Sequence, residues 1–227
     1  MNVIITGASR GIGFETALQF LKNNHQVFCL TRNTETLEAL SFPNLFIIPT
    51  DLTDTESIDA AVSIIKSKVN AIDVVINNAG SIINKPFEKI DYQELEIVYR
   101  VNVLAPFYLT QQLLHLLGRH SKAHIVNISS MGGFQGSPKF PGLSAYSSSK
   151  AAITGLTECL AEEFKEKNIS VNCLALGAVQ TEMLEEAFPG YQAPLKPFEM
   201  AEYIYDFSMN GHKYYNGKIL PVSSSTP

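Results

Sequence analysis

The segment Asn2-Val3-Ile4-Ile5-Thr6-Gly7-Ala8-Ser9-Arg10-Gly11-Ile12-Gly13 decides the fold. Val3, Ile4 and Ile5 are successive β-branched apolar residues, so both faces of an extended chain are hydrophobic, as in a strand within a sheet covered on both sides. The glycines that follow are spaced GxxxGxG, and a helical pattern runs on from Gly11 to Asn23. Strand, turn and helix in that order make a βα unit whose turn suits a phosphate. Gly7 permits the tight turn, Gly11 lets backbone N–H groups approach a diphosphate, and Gly13 permits close helix packing, while the helix N-terminus favours the anion. Ser9, Arg10 and Ile12 complete this candidate dinucleotide loop.

The same alternation continues along the 227 residues. Apolar runs predict strands at 27–31, 45–49, 72–77, 123–129, 170–176 and 218–222, and helical periodicity predicts helices at 34–40, 55–68, 91–117, 146–167 and 198–209. The pattern specifies an α/β fold: a doubly wound parallel sheet of about seven strands with helices on both faces. No linker, repeat or break in composition divides it, and its length suits one core, so residues 1–227 are expected to form a single domain. In such sheets ligands sit beyond the carboxyl ends of the strands.

Composition narrows the function. A net charge of −5 argues against nucleic acid, which needs a basic face. Cys29, Cys159 and Cys173 are odd in number and form no CxxC pair, which points to a reducing, cytoplasmic location. Met1 leads straight into the first strand, without the basic and long apolar regions of a signal peptide. The uncharged window 101–118 contains Asn102, Pro106, Gln111, Gln112 and His115, so it is not expected to span a membrane. His115, His120 and His124 show no ligand arrangement, and no metal site is expected.

Cofactor choice is read at the end of the second strand, where an acidic residue would select the free 2′-hydroxyl of NAD. This chain has Leu30-Thr31-Arg32 there, with no carboxylate between Glu15 and Glu35. Arg10 and Arg32 supply two guanidinium groups suited to a 2′-phosphate, which predicts NADP(H) over NAD(H); the alternative is that both are solvated surface residues.

Tyr146 and Lys150 stand at i and i+4 near the start of a helix, on one face. A cation about 4 Å from a phenol lowers its pKa by roughly 3 units before desolvation subtracts, enough to make Tyr146 a general acid or base. Ser130, at the end of Ile125-Val126-Asn127-Ile128-Ser129-Ser130, emerges at the same sheet edge and can donate to a substrate oxygen, with Ser129 its close rival.

Together these motifs resemble the short-chain dehydrogenases/reductases, a Rossmann-fold family, over nearly the whole chain. Thr6 to Gly13 is similar to the family's cofactor loop, Asp51-Leu52 to its adenine contact, and Asn77-Asn78-Ala79-Gly80 to its NNAG motif. Asn102 matches the family's Asn that binds a water linked to the catalytic Lys; Ser130, Tyr146 and Lys150 match the remaining catalytic set. The resemblance implies hydride exchange between nicotinamide and a carbonyl or alcohol substrate, with Tyr146 handling the proton, Ser130 orienting the oxygen, and Lys150 lowering the Tyr pKa and binding the nicotinamide ribose. A non-catalytic NADP(H)-binding regulator on the same fold is the rival reading, and the intact catalytic set disfavours it.

The chain departs from the family in two places. Ala175-Leu176-Gly177 stands where Pro-Gly is usual, though Gly177, Val179 and Thr181 keep their places for the nicotinamide carboxamide, and the 131–145 loop is longer than common. Phe134, Phe140, Met183, Phe188, Tyr191 and Phe198 suggest an apolar or aromatic carbonyl substrate. Charged residues are only 17% of the chain, and the shortage concentrates in helices 91–117 and 146–167. Helices apolar or neutral nearly all round need a second burial partner, so a homodimer or homotetramer built on these two is expected.

Overall fold

The computed structural model describes residues 1–224. In chain order its elements are β1 (Asn2–Thr6), α1 (Gly11–Lys22), β2 (Gln26–Thr31), α2 (Glu35–Glu38), β3 (Leu45–Pro49), α3 (Thr55–Lys68), β4 (Val74–Asn77), α4 (Tyr92–Tyr99) and α5 (Ala105–Leu113). They continue with β5 (Ala123–Ser130), α6 (Ser144–Glu163), β6 (Ile169–Leu176), α7 (Glu182–Ala187), α8 (Pro197–Asn210) and β7 (Ile219–Val222). The seven strands form one sheet in the order β3-β2-β1-β4-β5-β6-β7, and all six pairings are parallel. The chain winds one way from β1 and the other from β4, so the topological switch lies between those two central strands.

Period-two alternation sorts the strands into two cores. Ile4, Val75, Ile125 and Val171 face α3, α5 and α6, where they pack with Ile58, Leu109 and Leu160. Val3, Ile5, Ile76, Val126 and Leu174 face α1 and α8, against Phe20, Met200 and Ile204. Among the described residues no helix is long and apolar enough to cross a membrane.

The structure corrects several boundaries. The helix expected over 91–117 is divided: a π turn over Arg100–Leu104 separates α4 from α5, and a 3-10 turn ends the segment at Leu114–Leu116. Pro106 lacks the N–H that an α-helix would direct at the Asn102 carbonyl, and the wider turn carries the ladder past it, with Ala105 N–H bonding the Arg100 carbonyl. Helix α6 starts two residues before Tyr146 and gives way to a 3-10 turn at Lys165–Lys167. Strand β5 reaches Ser130, one residue further than predicted. Helix α7 was not anticipated, although Thr181 as N-cap followed by acidic Glu182 is a start signal.

Candidate active site

At the switch point the glycine turn is fixed by backbone geometry. Gly7 and Gly11 adopt φ of 67° and 57°. A Cβ on Gly13 would lie 2.3 Å from both the Gly7 carbonyl oxygen and Asn78 Nδ2. Asn78 Nδ2 donates to the Thr6 and Gly7 carbonyls at 3.0 and 3.1 Å, while Thr6 Oγ1 accepts from the N–H groups of Asn78 and Ala79. The ends of β1 and β4 are thus laced together. No side chain caps the N-terminus of α1, whose N-cap is Arg10, so its first N–H groups remain available to an anion. A cleft of about 830 Å³ runs from this turn across the strand ends. The glycine conformations, the uncapped helix and the cleft together fit a dinucleotide.

At one end the cleft is lined by Arg10, Arg32, Asp51 and Leu52. Thr36 Oγ1 donates to the Ser9 carbonyl at 2.6 Å and ties the turn to α2. Asp51 accepts from the backbone N–H and hydroxyl of Thr53, and these bonds, with the nearby Arg32 charge, hold its carboxyl below the usual carboxylate range. Arg10 has a partner the sequence did not suggest: its Nη1 lies 2.9 Å from Glu186 Oε1 on α7, and both side chains are at least half exposed.

At the middle of the cleft stand Ser130, Tyr146 and Lys150. Gly133 allows the segment after β5 to lie directly on α6; a Cβ there would come within 2.4 Å of the Lys150 carbonyl carbon. Ser129 and Ser130 point to opposite sides of the strand. Ser129 is buried and donates to the Lys150 carbonyl at 2.7 Å, whereas Ser130 lines the cleft, where its Oγ accepts from Gly132 N–H at 3.1 Å. Lys150 is 4% exposed, and its Nζ donates to the Ile128 carbonyl at 2.8 Å and lies 5.9 Å from the Tyr146 ring centroid.

The electrostatics differ from the simple expectation of a phenol acidified by a neighbouring cation. Burial pushes the Tyr146 pKa up, opposed by the nearby Ser130 hydroxyl, and burial lowers the Lys150 ammonium to about 8. The same packing that brings the pair together desolvates both members. Asn102 does not touch Lys150 directly. It is buried in the π turn, where Nδ2 donates to the Ser81 carbonyl and to Ser149 Oγ, and Oδ1 accepts from Ser81 N–H at 2.7 Å. A Cβ on Gly80 would lie 3.6 Å from Lys150 Nζ and 3.7 Å from Asn102 Oδ1, which places Gly80 beside both.

Gly177, Val179 and Thr181 line the cleft after β6. A Cβ on Gly177 would strike Ser223 Oγ at 2.2 Å, and the Gly177 N–H donates to the Val222 carbonyl. Leu176, in the position where the resembling family has proline, is buried at the end of β6. Thr181 Oγ1 accepts from Leu184 N–H and starts α7. Phe140, Met183, Phe188 and Tyr191 line the cleft as expected, but Phe134 and Phe198 do not; Phe198 is 48% exposed on α8. Sequence reasoning missed Ile82, Ile97, Val101, Met131 and Leu143, because their approach depends on the paths of the loops after β4 and β5 and on α4 and the π turn. Apart from Lys150, the charged lining residues are Arg10, Arg32, Asp51, Glu182 and Glu186, all at the nucleotide end or on α7.

Fold and site together define a class. Residues 1–192 match the short chain dehydrogenase family, and the chain belongs to it. An uncharacterized oxidoreductase of Staphylococcus aureus strain USA300 is 28% identical over 203 residues, spanning 88% of this chain and 87% of that protein. Among solved structures, 4-hydroxyisoleucine dehydrogenase complexed with NADH superposes with a TM-score of 0.89 at 26% identity, covering 99% of this chain and 97% of the other. The Pseudomonas aeruginosa RhlG/NADP active-site complex gives a TM-score of 0.86 at 27% identity, covering 99% and 95%.

Proposed function

We propose that this protein is an NADP(H)-dependent oxidoreductase that interconverts a neutral, apolar carbonyl compound and its alcohol. The observation that carries the reading is the convergence of Ser130, Tyr146 and Lys150 on the cleft that also contains the glycine turn. Similar structures bound to NADH and NADP support a nicotinamide cofactor. Arg10 and Arg32, without an acidic residue after β2, favour the 2′-phosphorylated form. Gly7, Ser9, Arg10, Gly11, Ile12 and Gly13 would hold the phosphates, Asp51, Leu52, Asn78, Ala79 and Gly80 the adenine and its ribose, and Gly177, Val179 and Thr181 the nicotinamide end.

When bound, the nicotinamide supplies or accepts the hydride. Tyr146 gives the carbonyl oxygen its proton, or takes the alcohol's, and Ser130 donates a hydrogen bond that holds that oxygen as charge develops. Lys150 places a positive field beneath the phenol and offers donors to the nicotinamide ribose. Asn102 acts by position, joining Ser81 after β4 to Ser149, the residue before that lysine. The substrate end carries Ile82, Met131, Phe140, Leu143 and Phe188 and no charge besides Lys150, which favours neutral apolar substrates. Exposed Leu104 and Phe107 on the π turn and α5 support association of copies through the 91–117 and 146–167 helices, which light scattering would detect. The test of function is NADPH oxidation against a panel of ketones, aldehydes and quinones. Tyr146→Phe should lose at least about a hundredfold in kcat while retaining NADPH affinity; undiminished turnover would remove the assignment.

A further inference from the structure

We propose that Glu186 tempers the preference for the phosphorylated cofactor, because its carboxylate occupies Arg10 and must be exchanged for a phosphate on the adenosine ribose. The inference rests on the reading above that Arg10 serves that phosphate. Arg10 is the N-cap of α1, at the rim of the glycine turn, and its one ion-pair partner among the described residues is Glu186 at 2.9 Å. That carboxylate raises the Arg10 pKa, with Glu182 adding a smaller attraction. Both acids line the same cleft as Arg10, Gly11 and Arg32. They come from α7, a six-residue helix whose position does not depend on the ion pair alone. Thr181 caps its start, and Asn84 Nδ2 donates to the Ala187 carbonyl at its end. Glu186 can therefore release Arg10 without α7 losing its place.

The exchange is chemically balanced. A guanidinium forks onto phosphate oxygens as readily as onto a carboxylate, and a phosphate monoester carries nearly two charges against one. With both partners at least half exposed, the internal pair is weak, so the incoming phosphate wins. The carboxylate still subtracts from the affinity of the phosphorylated cofactor. It leaves the unphosphorylated one alone, since that cofactor makes no demand on Arg10. Glu182 acts differently: its Oε2 lies 3.6 Å from where a Cβ on Gly11 would stand, beside the turn that both cofactors would use.

The test is titration of NADPH and NADH, followed by fluorescence, with wild type, Glu186→Gln, Arg10→Ala and the double variant. Glu186→Gln should tighten NADPH about threefold, and at most about fivefold at low salt, with NADH unchanged. In the Arg10→Ala background the Glu186→Gln change should vanish. An unchanged NADPH to NADH ratio in Glu186→Gln overturns the inference while leaving the Arg10 reading intact. A ratio change that persists without Arg10 also overturns it, because Glu186 would then act on the phosphate directly. Should Arg10→Ala alone leave the ratio untouched, the Arg10 reading fails and the inference falls with it.

Discussion

Replacing Lys150 with Met removes an ammonium that the fold holds at a cost, and the cost follows from its surroundings. The side chain is 4% exposed, its amine reaches one backbone carbonyl, and among the described residues it forms no ion pair. Burial lowers its pKa from 10.5 to about 8. A shift of that size corresponds to about 3 kcal/mol of destabilisation of the folded state at pH 7. The sign follows from proton counting: between pH 8 and 10.5 the unfolded chain binds more protons at this site, so stability rises with pH through that window. Cys29 and Cys173 oppose the trend, since burial raises both thiols to about 12 and the unfolded chain loses their protons first. Comparing wild type with Lys150→Met at each pH cancels Cys29; the Cys173 thiol feels the Lys150 charge, so the comparison is made in a Cys173→Ala background. Urea unfolding of nucleotide-free protein should show Lys150→Met gaining relative stability at pH 7, less about 1 to 2 kcal/mol for the unbonded Ile128 carbonyl. The difference should shrink by about 1 kcal/mol between pH 7 and pH 9. A gap that stays constant across that range would refute a strained, desolvated lysine.

The neighbouring serines should separate cleanly: Ser130→Ala should lower kcat by about a hundredfold or more with little change in unfolding midpoint. Ser129→Ala should instead cost about 1 to 2 kcal/mol of stability through the loss of its buried bond to the Lys150 carbonyl; equal effects on both measurements would undo the division of roles. On the acid side, burial lowers the His124 pKa to about 4. Its neutral tautomer is fixed, because Nδ1 must donate to the Ser208 carbonyl while Nε2 accepts from Asn172 Nδ2, an amide whose oxygen already receives Lys218 N–H. The unfolded histidine takes up its proton near pH 6.5, so stability should fall as pH drops from there toward 4, by about 2.5 kcal/mol at pH 4.5. Urea midpoints for His124→Gln should lack that component, and an identical acid limb in the variant would exclude His124 as its source.

The sheet was legible because parallel strands buried on both faces leave an unmistakable pattern: Val3 to Ile5, Val74 to Ile76 and Ile169 to Leu176 are apolar or small nearly throughout. The glycine turn was legible because its demands are written in the backbone: Gly7 and Gly11 take positive φ, and Gly13 lies against the Gly7 carbonyl. What escaped was long-range or short. Helix α7 has six residues, too few for a period to show, and its Glu186 meets Arg10 across a separation of 176 residues. Phe134 and Phe198 were misplaced for a related reason: proximity to Tyr146 or Thr181 along the chain says nothing about which side of a loop or helix faces the cleft.

Asn102 shows how a visible residue can have an invisible consequence. Pro106 stands openly in the sequence, and a continuous 3.6-residue reading across 91–117 simply passes through it. The structure answers with a wider turn, and one extra residue rotates everything after it by about 100° relative to α4. Val98, Asn102, Ala105, Leu109 and Leu113 are nonetheless all buried, at spacings of four, three, four and four, so the segment keeps one face to the core on both sides of the turn. Asn102 is the buried residue of the turn, with its amide bonded to Ser81 and Ser149. The proline accounts for the wider turn, and the asparagine within it ties the segment after β4 to the helix that bears Tyr146 and Lys150.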